Sequence, residues 1–333
     1  MAECESFKMQ MSDGNVNTVY VWLACETRCC VVLSHGMCEY ALRYEPFAQF
    51  LAEAGITTVA EDHRGHGKTA LDAQKAGRGE LSFLADKDGF NRVVQDVCEL
   101  VAYTKTRFPG KPVFLFGHSF GSLVAQSVIE THGDMVDKAV LCGTIGPRRA
   151  LIFVANVVGS LVKALEGSHR KSALLYFLTF GFNNAHIKGA KTPFDWLSRD
   201  EAASGAYADD PLCGVQPTNG FLCDIYSGLH QIHKKRAIAS IPKSLPVLII
   251  AGTDDPIGSR GKTVRRLFAE YQRAGMTHAT MKLYEGARHE LLNETNRDEV
   301  MADVRNFLLE PQNVVSESGE SGGTCEVENR FDI

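Results

Sequence analysis

The sequence predicts an α/β protein with a mostly parallel central sheet flanked by helices, and three observations support this fold class. Short apolar runs alternate with amphipathic stretches along most of the chain. The apolar runs are continuous, which is typical of strands buried on both faces of a parallel sheet. The alternation stops between about residues 146 and 241, where helical and loop character prevails and no clear strand pattern occurs.

The predicted elements begin with a hairpin and continue as an alternating core. Residues 6–24 form two predicted strands joined at Asp13-Gly14, a dipeptide suited to a tight turn. Buried strands are predicted in CCVVLSHG, ITTVAED and PVFLFGHS. The first two flank a helix that stops at Gly55, and a second helix over 90–110 precedes the third strand. A further helix ends at Gly133, and the last strands are predicted in KAVLCGTI, PVLIIAGTDD and ATMKLYEGARH.

These elements divide the chain into four expected segments. The first part of the α/β core spans 1–145 and the second part spans 242–310. A helical insertion over 146–241, called the cap segment below, separates them. Residues 311–333 are rich in Gly, Ser and Glu, which predicts a flexible acidic tail.

Composition limits the class of protein. Hydrophobic residues make up 44% and charged residues 23% of the 333 residues, as in ordinary soluble globular proteins. The formal net charge is −5, so the basic excess of a nucleic-acid-binding protein is missing. The start MAECESFKMQ lacks a secretory signal pattern, and no apolar run of about 18 residues predicts a membrane span. The ten cysteines include no C-x-x-C pair, which favours buried thiols in a reducing cytoplasm.

The segment GHSFG at 117–121 holds the candidate nucleophile, Ser119. The G-x-S-x-G pattern alone is weak, because chance produces it in roughly 0.15 chains of this composition. Its position is more informative, since it follows an apolar strand and precedes an amphipathic helix. A nucleophile elbow requires this strand–turn–helix placement, which exposes the serine oxygen. The placement favours a nucleophile over an ordinary helix N-cap.

A serine hydroxyl needs a base, an acid that orients the base, and donors that hold the oxyanion. In an open parallel sheet these groups are expected at the carboxyl ends of strands. Asp254 and Asp255 follow one predicted strand, His289 follows the last, and the main-chain N–H of Met37 follows the first buried strand. The order Ser119, Asp255, His289 is the Ser…Asp…His order of the α/β-hydrolase fold.

Five segments of the sequence together resemble one branch of the α/β-hydrolases, the monoacylglycerol lipase and lysophospholipase family, which is related to the serine aminopeptidases. They are LSHGMCEYALRYEPFAQFLAEAG, EDHRGHGKTA, FLFGHSFGS, AGTDDPIG and YEGARHELLNE. The similarity covers roughly residues 20–310, and the cap segment is its least matched part. The resemblance implies an α/β-hydrolase fold with a helical cap, and it implies no metal or organic cofactor.

The resemblance also implies the roles of individual residues. Asp255 is preferred to Asp254 as the acid because the family's acid is followed by one residue and then an aliphatic, here Pro256-Ile257. Asp254 stays open as the alternative. The implied site is the nucleophile Ser119, the base His289, the acid Asp255, and an oxyanion hole formed by the N–H groups of Met37 and Phe120.

Several nearby residues have less specific expectations. Cys38 follows the proposed oxyanion donor and is either an inert buried thiol or a point where bulky thiol reagents inhibit. The other histidines are expected to shape loops (His35, His63, His66), to point away from the elbow (His118), or to lie on a solvated face (His230, His233).

The predicted activity is hydrolysis of monoacylglycerol or lysophospholipid-type esters through an acyl-enzyme on Ser119. An acyltransferase or an aminopeptidase on the same triad remains an alternative. A non-catalytic binding protein on the hydrolase fold is an alternative of another class. The expected partner is a small-molecule or lipid ester and not a nucleic acid, and the sequence leaves the oligomeric state open.

The first half of the cap segment is basic and apolar. Two apolar helices are predicted at 150–165 and 172–182. Between residues 146 and 191, Glu166 is the single acidic residue. Seven residues in the same range are basic: Arg148, Arg149, Lys163, Arg170, Lys171, Lys188 and Lys191. We hypothesise that the cap segment contacts an anionic lipid surface or receives an anionic substrate. The expected location is therefore cytoplasmic, with peripheral membrane contact through the cap.

Overall fold

The computed structural model describes residues 2–311, which form one eight-stranded sheet with helices on both faces. The strands are β1 (Glu3–Gln10), β2 (Val16–Leu23), β3 (Cys29–Ser34), β4 (Ile56–Asp62), β5 (Val113–His118), β6 (Lys138–Cys142), β7 (Val247–Gly252) and β8 (Ala279–Tyr284). Their order in the sheet is β1-β2-β4-β3-β5-β6-β7-β8. The predicted hairpin and all six predicted core strands are confirmed. The predicted tail lies, apart from Pro311, outside the described residues.

Most of the sheet is parallel, as the sequence predicts. Strand β2 pairs antiparallel with β1 and with β4, and every other neighbouring pair is parallel. Because parallel strands present their carboxyl ends at the same edge, the loops that follow β3, β5, β7 and β8 meet there. This arrangement brings together segments that are far apart in the sequence.

In the described part of the chain, eleven α-helices cover the sheet or lie in the cap segment. They are α1 (Glu45–Glu53), α2 (Gly67–Lys75), α3 (Gly89–Arg107), α4 (Phe120–Thr131), α5 (Arg149–Glu166), α6 (Ala173–Phe180), α7 (Glu201–Asp209), α8 (Asn219–Ile232), α9 (Lys235–Ser240), α10 (Lys262–Arg273) and α11 (Arg297–Leu309). The sequence reading predicted α1, α3, α4, α5 and α6. It did not identify α2, α10 and α11, whose patterns are more polar.

The continuous apolar runs are explained by two hydrophobic cores, one on each face of the sheet. Along β3, Val32 packs into the core beneath α3 and α4, while Val31 and Leu33 pack into the core beneath α1 and α11. Successive strand residues point to opposite faces. A strand covered on both faces therefore needs apolar residues at every position.

The cap segment contains α5 to α9 and, within the described residues, no strand. Helix α8 packs against α3, α4 and α5 and contributes Phe221, Ile225 and Leu229 to the main core. The last part of the cap segment is thus continuous with the body. Helices α5 and α6 instead leave many large apolar side chains exposed.

Candidate active site

Ser119 lies on a sharp turn at the carboxyl end of β5, immediately before α4. Its backbone has φ 51° and ψ −117°, a strained conformation for a residue with a side chain. A Cβ at Gly117 would overlap the carbonyl of Gly121, and a Cβ at Gly121 would overlap the carbonyl of Ser34. The two glycines of GHSFG therefore allow the close backbone approach that exposes Ser119, as a nucleophile elbow requires.

The three side chains that the sequence predicted as a triad meet in space. His289 Nε2 lies 2.8 Å from Ser119 Oγ, and His289 Nδ1 lies 3.0 Å from Asp255 Oδ2. Asp255 is fully buried and His289 is almost so, whereas Asp254 is exposed. The N–H of Ile257 also donates to Asp255 Oδ1 at 2.8 Å, which fixes the carboxylate.

The surroundings of His289 favour its protonated form. Burial alone would lower the pKa of His289, but the neighbouring carboxylates, Asp255 foremost, together outweigh burial, so the pKa is raised above the usual value. The Glu290 and Glu39 carboxylates act in the same direction. This environment stabilises the imidazolium that would form if His289 took a proton from Ser119.

The two candidate oxyanion donors lie beside Ser119. Met37 and Phe120 both line the cavity into which Ser119 opens. Within residues 2–311, neither main-chain N–H has a hydrogen-bond acceptor. Phe120 is the first residue of α4, so its N–H is free of the helical ladder. Two such donors are suited to an oxygen that carries developing negative charge.

The cavity measures about 940 Å³ and lies between the strand ends and the cap segment. Its wall on the cap side is mainly apolar and includes Leu151, Val154, Ala155, Val158, Leu175 and Leu178. Among its described lining residues only Glu39 and Glu290 are acidic, and both are paired with Arg43. A cavity of this size and lining can hold one acyl chain.

Sequence comparison assigns the chain to a family. The family described as serine aminopeptidase, S33, matches residues 26–296, most of the chain. The chain belongs to the serine aminopeptidase S33 family. The members of this family are serine hydrolases, so the predicted enzyme class is confirmed.

Relatives of this S33-family chain span nearly its whole length. A monoglyceride lipase homolog of Monkeypox virus is 27% identical, over 84% of this chain and 88% of that protein. A monoacylglycerol lipase of Mycolicibacterium smegmatis is 27% identical, over 89% of this chain and 94% of that protein. A solved carboxyl esterase from Bacillus coagulans in complex with glycerol is 29% identical, with a TM-score of 0.83, and covers 92% of this chain and 98% of that one. The predicted resemblance and the α/β-hydrolase fold are thereby confirmed.

Four residues next to the site were not predicted from the sequence. Arg43 bonds to both oxygens of the Glu290 carboxylate at 2.8 Å and also pairs with Glu39. The spacing of Glu39 and Arg43, four residues apart, and the position of Glu290 directly after His289 were available signals. Trp196 packs on His289 with 5.1 Å between ring centroids, and no sequence signal indicates that contact.

The remaining predictions on histidines and cysteine have mixed outcomes. His233 is buried and its Nε2 lies 3.2 Å from the carbonyl of Ile145, so the predicted solvated face is wrong there. His118 packs its ring against that of His289 at 5.0 Å rather than pointing away from the site. Cys38 is buried and its thiol donates to the carbonyl of Val215 at 3.0 Å, which supports the inert alternative.

Two further features bear on ligands and membranes. Nowhere in residues 2–311 do three or more His, Cys, Asp or Glu side chains converge in a way that would hold a metal ion. None of the described helices has the length and apolar character needed to span a bilayer.

Proposed function

We propose that this protein hydrolyses carboxylic esters of the monoacylglycerol type through an acyl-enzyme on Ser119. The observation that carries the proposal is the continuous hydrogen-bonded chain from Ser119 Oγ through His289 to Asp255. It opens into a cavity with an apolar wall. The substrate class is supported by relatives that are a monoacylglycerol lipase and a carboxyl esterase.

The proposed reaction has two halves. Ser119 Oγ attacks the ester carbonyl while His289 Nε2 takes its proton, and the N–H groups of Met37 and Phe120 hold the oxyanion. The imidazolium then donates that proton to the leaving alcohol, which leaves an acyl-Ser119. A water molecule, activated by the same imidazole, hydrolyses the acyl-enzyme and releases a fatty acid. Asp255 holds the tautomer of His289 in which Nδ1 carries the hydrogen.

The lining of the cavity favours ester hydrolysis over aminopeptidase activity. An aminopeptidase needs a free carboxylate to bind the ammonium group of its substrate. Glu39 and Glu290, the two acidic residues of the described lining, are already engaged by Arg43. A substrate ammonium would therefore compete with the partly buried Arg43 for these carboxylates.

The experiment that tests the function compares the wild type with Ser119→Ala. We expect the wild type to react with a fluorophosphonate probe and to release fatty acid from a monoacylglycerol. The variant should lose both, with a fall in kcat on the order of 10⁶-fold. Near-native turnover by Ser119→Ala, or hydrolysis of aminoacyl amides in preference to esters, would refute the proposal.

We also infer that the outer surface of α5 and α6 makes peripheral contact with a membrane. Eleven large apolar side chains are exposed in the described residues, and ten of them lie between residues 151 and 182. Six of these ten do not line the cavity, namely Phe153, Val157, Leu161, Leu165, Leu174 and Phe177. A concentrated apolar surface of this kind marks an interaction site. The basic side chains of Lys163, Arg170, Lys171 and Lys188 lie in the same segment and are exposed, which suits an anionic lipid surface.

A phosphate-bearing monoacyl ester, a lysophospholipid, is a second candidate substrate. Three cations line the cavity, namely Arg148, Arg260 and Lys262, and none has a side-chain partner within residues 2–311. Asn183 also lines the cavity and is buried, at 8% exposure. Its side-chain amide nitrogen has no hydrogen-bond partner within residues 2–311. Unpaired donors and cations favour a ligand that supplies anionic acceptors.

A further inference from the structure

We infer that Arg43 is a positioning residue that acts through Glu39 and Glu290. Through them it fixes the position of the catalytic base His289 relative to the oxyanion loop, the segment after β3 that contains Gly36 and Met37. This inference rests on the proposed esterase function. Within residues 2–311 the side chain of Arg43 makes no hydrogen bond to Ser119, His289 or Met37, so its effect passes through its two glutamate partners.

The first partner, Glu39, connects Arg43 to the oxyanion loop. Glu39 Oε1 accepts the main-chain N–H of Gly36 at 2.6 Å and the hydroxyl of Tyr44 at 2.6 Å. The other oxygen of Glu39 pairs with Arg43. Gly36 immediately precedes Met37, whose N–H is a proposed oxyanion donor. Arg43 therefore holds a carboxylate that restrains the backbone immediately before that donor, while the ring of His35 bonds to the Gly36 carbonyl in the same peptide plane as the donor.

The second partner, Glu290, connects Arg43 to the catalytic base. The two nitrogens of the Arg43 fork bond to the two oxygens of Glu290 at 2.8 Å each, a planar geometry that restricts the carboxylate strongly. The side-chain amide of Asn293 also donates to Glu290, and the main-chain N–H of Glu290 donates to the carbonyl of Leu197. His289 is the adjacent residue, so its backbone is fixed from the same cluster.

The cap segment also contacts Arg43. The Arg43 guanidinium lies over the ring of Tyr207, 4.7 Å from its centroid. Tyr207 belongs to α7, and its hydroxyl donates to the carbonyl of Cys38 at 2.9 Å. The residues that flank both catalytic loops and one helix of the cap segment thus converge on a single, partly buried cation.

Charge supports the same assignment. Arg43 lies between two buried carboxylates, those of Glu39 and Glu290. The other titratable groups near Glu290 are His118, His289, Tyr44, Tyr207, Cys142 and Cys213. Burial raises the pKa of the two tyrosines and the two cysteines, so these four groups stay neutral. Although burial opposes ionisation of Glu290, Arg43 lowers its pKa to about 2. Glu290 and Glu39 both raise the pKa of His289. Removing the Arg43 charge or the Glu290 charge should therefore move the proton affinity of His289 in opposite directions.

The experiment measures kcat, KM and the pH profile of kcat/KM for Arg43→Gln, Arg43→Lys and Glu290→Gln. We expect kcat to fall about 10²-fold with a small change in KM, because a displacement of about 1 Å at reacting groups has that effect. The acid limb should move to higher pH in Arg43→Gln and to lower pH in Glu290→Gln. Arg43→Lys keeps the charge but loses the fork, so it should lower kcat without a large shift of the limb.

The matched control is Arg64→Gln. Arg64 also lies between two carboxylates, Asp13 and Asp96, and is buried, but neither of its partners contacts the triad or the oxyanion loop. We expect this variant to lose stability and to keep the wild-type pH profile. The inference is overturned if the Arg43 variants match Arg64→Gln in kcat per folded molecule. It is also overturned if the acid limbs of Arg43→Gln and Glu290→Gln shift in the same direction. An inactive wild type would instead overturn the proposed function, and with it this inference.

Discussion

Asp255 and Asp254 are neighbours in the chain, yet only Asp255 reaches His289, the proposed base. Asp255 Oδ2 lies 3.0 Å from His289 Nδ1 and the residue is fully buried, while Asp254 is exposed and its main-chain N–H bonds to the carbonyl of Ala287. Sequence alone favoured Asp255 and left Asp254 open. The turn after β7 separates their side chains, which supports Asp255 as the acid of the triad.

Replacing each aspartate with asparagine should separate their roles. Asp255→Asn removes the charge that stabilises the imidazolium and allows the wrong tautomer of His289, so kcat should fall about 10⁴-fold. Asp254→Asn changes an exposed side chain and should leave kcat within about threefold of the wild type. Steady-state hydrolysis of a p-nitrophenyl ester by the two variants measures this, and equal losses would contradict the assignment.

The pH dependence should follow His289. The base acts when neutral, and its pKa is raised, so activity should fall as the pH drops through a value above about 6.5. Burial lowers the pKa of the adjacent His118 to about 3, so that ring stays neutral and adds no second limb. A profile of kcat/KM between pH 5 and 9 checks the prediction. An acid limb well below about 6.5 would mean that Asp255 does not act on His289 as described.

The sequence was informative where function depends on strand ends. Ser119 and Asp255 each follow a continuous apolar strand and His289 follows the edge strand β8, and a parallel sheet brings such positions together whatever their separation in the chain. Arg43 and Glu290 could not be paired in the same way, because they are 247 residues apart and no local pattern links them. Their meeting depends on how a helical turn after β3 packs against the loop after β8.

Local composition was misleading at His233. The residues that follow it, Lys234, Lys235 and Arg236, are typical of a solvated surface. The fold instead ends α8 at Ile232 and turns the imidazole inward, toward the carbonyl of Ile145. Sequence neighbours share a surface only when the backbone continues regularly, and here the helix ends one residue earlier.

Cys38 should resist thiol reagents although it lines the cavity. Burial raises the pKa of Cys38 to about 12, so its reactive thiolate is scarce at neutral pH. Cys4 and Cys25 are exposed and serve as internal references. In peptide mapping after brief iodoacetamide treatment, both references should be alkylated and Cys38 should not. Alkylation of Cys38 at a rate like that of Cys25 would show that the loop opens readily.

Membrane contact should depend on the exposed apolar side chains of α5 and α6. Leu165 and Phe177 are 78% and 51% exposed and do not line the cavity. Their combined replacement by serine should weaken co-sedimentation with vesicles containing phosphatidylserine by about 10²- to 10⁴-fold, since each of the two inserted side chains contributes about 1.5–3 kcal/mol. Leu42→Ser, an exposed leucine outside the cap segment, is the control. Binding that is unchanged by the double variant, or equally reduced by the control, would contradict a membrane role for this surface.

Arg148 should distinguish a charged head group from a neutral one. Arg148 lines the cavity without a side-chain partner in residues 2–311, whereas its neighbour Arg149 pairs with Glu270. Because hydrogen bonds to charged groups contribute about 1.5–3 kcal/mol, Arg148→Gln should lower kcat/KM at least about 10-fold for a lysophospholipid. The same variant should leave a monoacylglycerol with the same acyl chain unaffected, and Arg149→Gln should leave both substrates unaffected.

Short acyl chains below the micellar concentration keep this comparison free of membrane adsorption. If Arg148→Gln impairs both substrates equally, the arginine acts on folding or on the acyl pocket rather than on a phosphate. If Arg148→Gln lowers kcat/KM for the lysophospholipid only on vesicles, Arg148 binds phosphates of the membrane and not that of the substrate. A loss confined to the soluble lysophospholipid identifies the phosphate of the substrate as its ligand, because in that arm no other phosphate is present.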